Sequence, residues 1–194
     1  MQITVLKNYA KLLARMGLNV QHGQEVVITA ELDQPEFVAY CVEECYRAGA
    51  SKVWVEWTHQ PISRLGAEHK SEEILGEVRG WQEEKLRCQV RELPARLYLE
   101  SEDPDGLNGI DAEEYARAMQ ARQKIVKPYR DKMENKYQWC IAAVPGKAWA
   151  KKVFPKMPAS AAEEKLWRAI LTSARSYEGN PIANWQEHNR VLQA

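Results

Sequence analysis

An α/β fold, doubly wound about a largely parallel sheet of at least four strands with helices on both faces, is what the sequence predicts. Four short apolar runs recur along the 194 residues, at 25–30, 52–57, 95–101 and 137–144. Stretches of helical periodicity alternate with them. Glycine and proline stand where elements should begin or end, at Gly17, Pro35, Gly49 and Pro145-Gly146.

Each element has its own signal. Leu6, Tyr9, Ala10, Leu13 and Met16 recur at helical spacing, and Gly17 is placed to end that helix. "EVVITA" (25–30) is short and apolar enough for a buried strand. Pro35 opens a helix whose Phe37, Cys41, Cys45 and Ala48 share one face, and Gly49 closes it. "KVWVEW" (52–57) follows as a strand. A single charged helix is expected from Glu72 to Glu92, then the strand "ARLYLES" (95–101) and a helix over 112–127 that Pro128 breaks or ends. "YQWCIAAV" (137–144) is the fourth strand. Ser160 with Glu163 has the form of a capping box ahead of Leu166, Trp167 and Ile170. Asn180-Pro181 starts a last helix with Ile182, Trp185 and Leu192 on one side. That helix reaches Ala194 without a cap, glycine or polar tail. Residues 1–180 therefore read as one domain and 181–194 as the start of a helix leading elsewhere.

Composition excludes several classes. With 45% hydrophobic and 28% charged residues the chain is neither disordered nor collagen-like. Lys+Arg and Asp+Glu are both 27, so net charge does not indicate nucleic acid. Between Ala116 and Lys156, however, many Lys and Arg face only Asp131 and Glu134. This basic segment is either a solvated helix face or a surface for a polyanion. The N-terminus lacks a signal-peptide pattern and no run is long enough for a membrane span. Cys41, Cys45, Cys88 and Cys140 form no C-x-x-C pattern and read as reduced, buried thiols of a cytoplasmic protein.

Candidate sites are few. The loop "ESEDPDGLNGID" (100–111) lies beyond the third strand, at the end of a parallel sheet where ligands gather. A calcium loop fails there. Asp103 and Asp105 could serve as first and third ligands, but Leu107 would fall at the fifth position and no acid at the twelfth. Pro104-Asp105-Gly106 is turn chemistry and Asp111 can cap the next helix, with Glu102 and Asp103 as cleft-facing candidates. After the first strand, Ala30-Glu31-Leu32-Asp33-Gln34 has no glycine, and its carboxylates would repel a phosphate. The histidines show no metal-ligand spacing. His59, just past the second strand, is the best placed of the four for a cleft, against the alternative of an ordinary surface histidine. Arg122 projects into the apolar arc of Tyr115, Ala118, Met119 and Ile125. It either snorkels or pairs with a carboxylate, buried or across an interface. Arg122, Ile182, Trp185 and Leu192 are accordingly candidate interface residues, with Trp185 in the domain's own core as the alternative.

"YAKLLARMGLNVQHGQEVVI" (9–28), "EECYRAGASKVWVEW" (43–57), "LESEDPDGLNGID" (99–111) and "NKYQWCIAAVPGKAWAKKVFP" (135–155) together resemble the N-terminal part of a bacterial metallo-aminopeptidase family. That family is typified by aminopeptidase T and aminopeptidase S. "EKLWRAI" (164–170) and "NWQEHNRVL" (184–192) continue the resemblance in order. It implies a parent enzyme that removes N-terminal residues from peptides and assembles as a homodimer. It also implies two divalent ions (zinc, cobalt or manganese) on Glu, His and Asp residues of a C-terminal domain that this chain lacks. No position here matches those ligands, so no catalytic or metal residue is assigned. Residues 1–180 would wall the access path and position the catalytic domain. The alternative is a stand-alone, non-catalytic binding module that uses the basic 116–156 segment.

Overall fold

The computed structural model describes residues 2–177 and 179–193. Among them, four strands form one sheet: β1 (Glu25–Glu31), β2 (Lys52–Thr58), β3 (Ala95–Glu100) and β4 (Trp139–Ala143). The order is β2-β1-β3-β4 and each neighbouring pair is parallel. Val55, Ile28, Leu97 and Cys140 stand in one rung across the sheet. The chain winds outward from β1 to β2 and then crosses back to β3 on the other side of β1. The direction therefore reverses between β1 and β3, and a crevice opens at their carboxyl ends.

One face of the sheet carries the main core. Alternation puts Val26, Ile28, Ala30, Ala95, Leu97 and Leu99 on this side, against α1 (Ile3–Leu12), α2 (Pro35–Arg47) and α8 (Ala159–Ser173). Phe37 is the hub. Its ring stacks on Tyr9 at 5.5 Å and meets Trp167 edge-on at 5.3 Å. Burying such a side chain contributes roughly 1.5–3 kcal/mol. Cys41 and Cys45 lie in the same layer, where burial raises both thiols, Cys45 to about 12. They are unreactive core residues. The expectation of four buried cysteines is corrected at two positions: Cys88 is exposed and Cys140, on β4, is only half-buried.

The opposite face is covered by α5 (Gly80–Glu92), with α6 (Ala112–Met133) packed on α5 and on the short α4 (Glu72–Gly76). Contact here is polar. Lys85 pairs with Glu56 at 2.9 Å, and Arg96 donates to the buried Gln89 side chain at 2.6 Å. Trp54, Trp139 and Ile141 remain exposed on the β2 and β4 edges of the sheet.

Several boundaries differ from the sequence reading. The expected 72–92 helix is two helices. Gly76 lies so close to α6 that a Cβ there would sit 2.8 Å from the Ala118 carbonyl oxygen, and Glu77 leaves helical geometry (φ −61°, ψ 139°). A further helix, α3 (Gln60–His69), occupies a stretch with no helical reading. Pro128 neither breaks nor ends α6, which runs to Met133. Beyond the proline, Tyr129 donates to Glu83 at 2.9 Å and Met133 is buried, so packing on α5 outweighs the lost hydrogen bond. Gly17 does end the helical run that starts with α1, as expected, but it does not supply the left-handed turn. The helix continues as a π-helical segment (Leu13–Gly17), Asn19 takes the positive φ of 49°, and a Cβ on Gly17 would meet Cys140 Sγ at 2.7 Å. Ser160 forms no capping box either. α8 begins after Pro158, and Glu163 instead accepts from Gln34 at 2.8 Å.

Asn180 does cap α9 (Pro181–Leu192), accepting from the Ile182 N–H at 3.2 Å. The expectation about Ala194 lies outside the described residues. Between β4 and α8 lies α7 (Lys147–Val153). No helix among the described residues is long and apolar enough to cross a membrane.

Candidate functional site

The crevice between β1 and β3 is an open cleft of about 490 Å³, and all four strand ends contribute to it. β1 supplies Glu31 and, just after it, Asp33. His59 follows β2 and leads into α3. The loop after β3 brings Ser101, Glu102 and Asp103, and Gly146 and Lys147 come from the turn after β4. The three cleft-facing candidates, His59, Glu102 and Asp103, thus line one cavity.

Glu31 is its floor. As the last residue of β1 it is paired with Thr58, and it is only 8% exposed. Oε2 accepts the Gln60 N–H at 2.9 Å, so a strand carboxylate caps the first turn of α3 and meets the positive end of that helix. Oε1 is buried without a hydrogen-bond partner, and so is His59 Nδ1. Asp33 and Glu102 stand nearer the lip. The Ser101 hydroxyl donates to Asp33 Oδ1 at 2.8 Å. Loss of solvent, and then the neighbouring Glu31, raise both carboxyls above their ordinary range. Gly146 is required here: a Cβ would lie 2.5 Å from Asp33 Oδ2 and 2.7 Å from the Ser101 carbonyl oxygen.

The acidic loop is held as a structural turn. Gln60 and Asp103 exchange hydrogen bonds, side-chain amide to carbonyl at 3.0 Å and main-chain N–H to amide oxygen at 2.9 Å. Arg64 donates to the Gly106 and Asn108 carbonyls at 3.0 and 2.9 Å and pairs with Glu68 at 2.8 Å. Asp105 pairs with Lys152, which holds its carboxyl below the usual range. Asp111 caps α6, accepting the Glu113 and Glu114 N–H groups at 3.0 Å each.

The interface candidates do not converge on this cleft. Arg122 donates to the Glu77 carbonyl at 2.8 Å, so its partner within the chain is a main-chain oxygen rather than a carboxylate. Trp185 packs against the main core and donates to the Ala174 carbonyl at 2.9 Å, with Ile182 half-buried on the same helix. Leu192 is 71% exposed. Much of the basic 116–156 segment is engaged locally. Arg117 pairs with Glu72, Lys127 with Asp131 and Lys152 with Asp105, while Lys151 donates to the Pro155 and Met157 carbonyls.

Sequence reading missed Glu31, Gln60, Arg64 and Gly146 as site-building residues. A signal existed for the first: Glu31 and Asp33 stand just after a central strand, where a cleft is expected. Gln60 and Arg64 were hidden because α3 has no helical reading. The metal implied by resemblance does not fit this cleft. Among the described residues no group of three His, Cys, Asp or Glu could hold an ion.

A family model, Thermophilic metalloprotease (M29), matches residues 3–194. Aminopeptidase PepS of Streptococcus thermophilus is 36% identical over 193 residues, covering 97% of this chain and 46% of its own length. Aminopeptidase T of Thermus thermophilus is 36% identical over 188 residues, covering 96% of this chain and 46% of its own. Wild-type AmpT from Thermus thermophilus superposes with a TM-score of 0.84 at 34% identity, over 96% of this chain and 46% of that one. The chain thus spans about half the length of the curated relatives it matches.

Proposed function

The chain belongs to the thermophilic metalloprotease (M29) family, and from that membership we propose that it is the N-terminal domain of a metal-dependent aminopeptidase that removes N-terminal residues from peptides. The observation that carries this reading is one of extent: the match runs through nearly all of this chain yet through 46% of its relatives. The two divalent ions, zinc, cobalt or manganese, belong on this reading to the rest of the parent; among the described residues no group of three His, Cys, Asp or Glu could hold one. In this reading residues 1–180 wall the access path. Residues 181–194 begin the connection to the metal-bearing half, with Arg122 and the outer part of α9 toward the interface. His59, Glu102 and Asp103 then line the substrate side. The parent is a cytoplasmic homodimer. The engagement of the basic segment by carboxylates and carbonyls favours this over a polyanion-binding module.

Metal analysis after dialysis and a chromogenic aminoacyl substrate test the proposal. The chain alone is expected to retain no zinc, cobalt or manganese and to show no turnover. The chain joined to the remainder of its reading frame is expected to show chelator-sensitive turnover. Tightly held metal together with turnover in the 194-residue chain would overturn the assignment.

A further inference from the structure

We infer that the floor of the cleft between β1 and β3 is a seat for a primary ammonium group. The reading as an aminopeptidase domain bears only on where that ammonium comes from. Glu31 carries the argument. It is 8% exposed, its Oε2 is taken by the Gln60 N–H, and its Oε1 is buried without a donor. A buried carboxylate oxygen with nothing to accept from is costly and uncommon in a well-packed fold. His59 Nδ1, from a residue lining the same cleft, is a second buried polar atom without a partner. Asp33 and Glu102 add negative charge at the lip, and among the described residues neither forms an ion pair with a lysine or arginine.

The chemistry selects the ligand. An ammonium brings three N–H donors, one positive charge and no acceptor. It can donate to the free oxygen while offsetting carboxylates that otherwise repel one another. A metal ion would need a set of three ligands that the described residues do not provide. A phosphate or carboxylate would be repelled. Of the two cations in the lining, Arg64 is committed to Glu68 and to two carbonyls, and Lys147 sits exposed at the mouth. Gly146 lets Asp33 and the Ser101 carbonyl close in at the cleft wall.

Two sources share this chemistry, the amino terminus of a peptide and the side chain of a lysine elsewhere in the protein. Titration of the ¹⁵N-labelled chain with leucinamide, N-acetyl-leucinamide and butylammonium, followed by amide NMR, separates them. Leucinamide or butylammonium is expected to shift the Gln60 and Asp103 amides saturably, and Glu31→Gln to weaken that response about tenfold or more. The glutamine keeps an acceptor for the Gln60 N–H, so the fold is retained, and Glu102→Gln provides a second, milder variant. Tighter leucinamide binding identifies a peptide terminus, and tighter butylammonium binding identifies a lysine side chain. Either sustains the seat. It is overturned by equal binding of the acetylated compound, by unchanged binding in Glu31→Gln, or by no saturable response. None of these readouts uses peptidase activity, so the seat and the aminopeptidase assignment stand or fall separately.

Discussion

Asp111 accepts two backbone N–H groups at the start of α6, whereas Asp105, six residues earlier, meets only the side chains of Lys152 and Asn108 and its neighbours in the turn. Removing the first leaves helix donors without a protein partner; removing the second loosens a solvated ion pair. Asp111→Ala is therefore expected to cost about 1 kcal/mol of stability, and Asp105→Asn measurably less, in paired denaturant melts. Glu102 acts in the opposite sense. Its carboxyl lies above the ordinary range because of lost solvent, then Glu31 and Glu100, so the folded state holds the proton more tightly than the unfolded chain. Ionised Glu102 thus disfavours the fold, and the penalty fades as pH falls through the raised value toward the unfolded one. Glu102→Gln is expected to melt above the wild type at about pH 7, with the difference shrinking by about pH 4.

Among the elements, α6 and α9 set local pattern against packing. Pro128 interrupts the hydrogen-bond ladder of α6 without ending the helix, because Tyr129 and Met133 are anchored beyond it. Pro128→Ala should restore the missing N–H and raise stability by about 1 kcal/mol or more, as a shifted denaturant midpoint. In α9, Trp185 is tied to the core while Val191 and Leu192 lie open. Hydrogen exchange is expected to be slow near Trp185 and fast near Leu192; uniformly fast exchange would show that the tryptophan does not hold the helix. These cases also mark what the sequence could reveal. α2 was legible because Phe37, Cys41 and Cys45 bury at helical spacing between Pro35 and Gly49. The break at Glu77 was not, since it depends on Gly76 meeting α6, an element some forty residues later in the chain.

For the whole molecule, the winding of the sheet explains why the site's location was readable and its chemistry was not. Four apolar runs alternating with helices imply parallel strands, and parallel strands place a crevice at their carboxyl ends. Which side chains form the floor depends on register: Glu31 is paired with Thr58 as the seventh residue of β1, one beyond the apolar run itself. The same strand order bears on how the protein is made. β1 lies inside the sheet, between two strands that come later in the chain, and no neighbouring pair is joined by a hairpin. A ribosome delivering this chain from its N-terminus releases β1 long before β3 is available to pair with it. Phe37 must then wait for Trp167, far later in the chain on α8. Until α8, and after it Trp185 of α9, leave the exit tunnel, the nascent core is incomplete. Val26, Ile28 and Leu97 lack their full cover over that interval, the stage at which the chain is most open to aggregation.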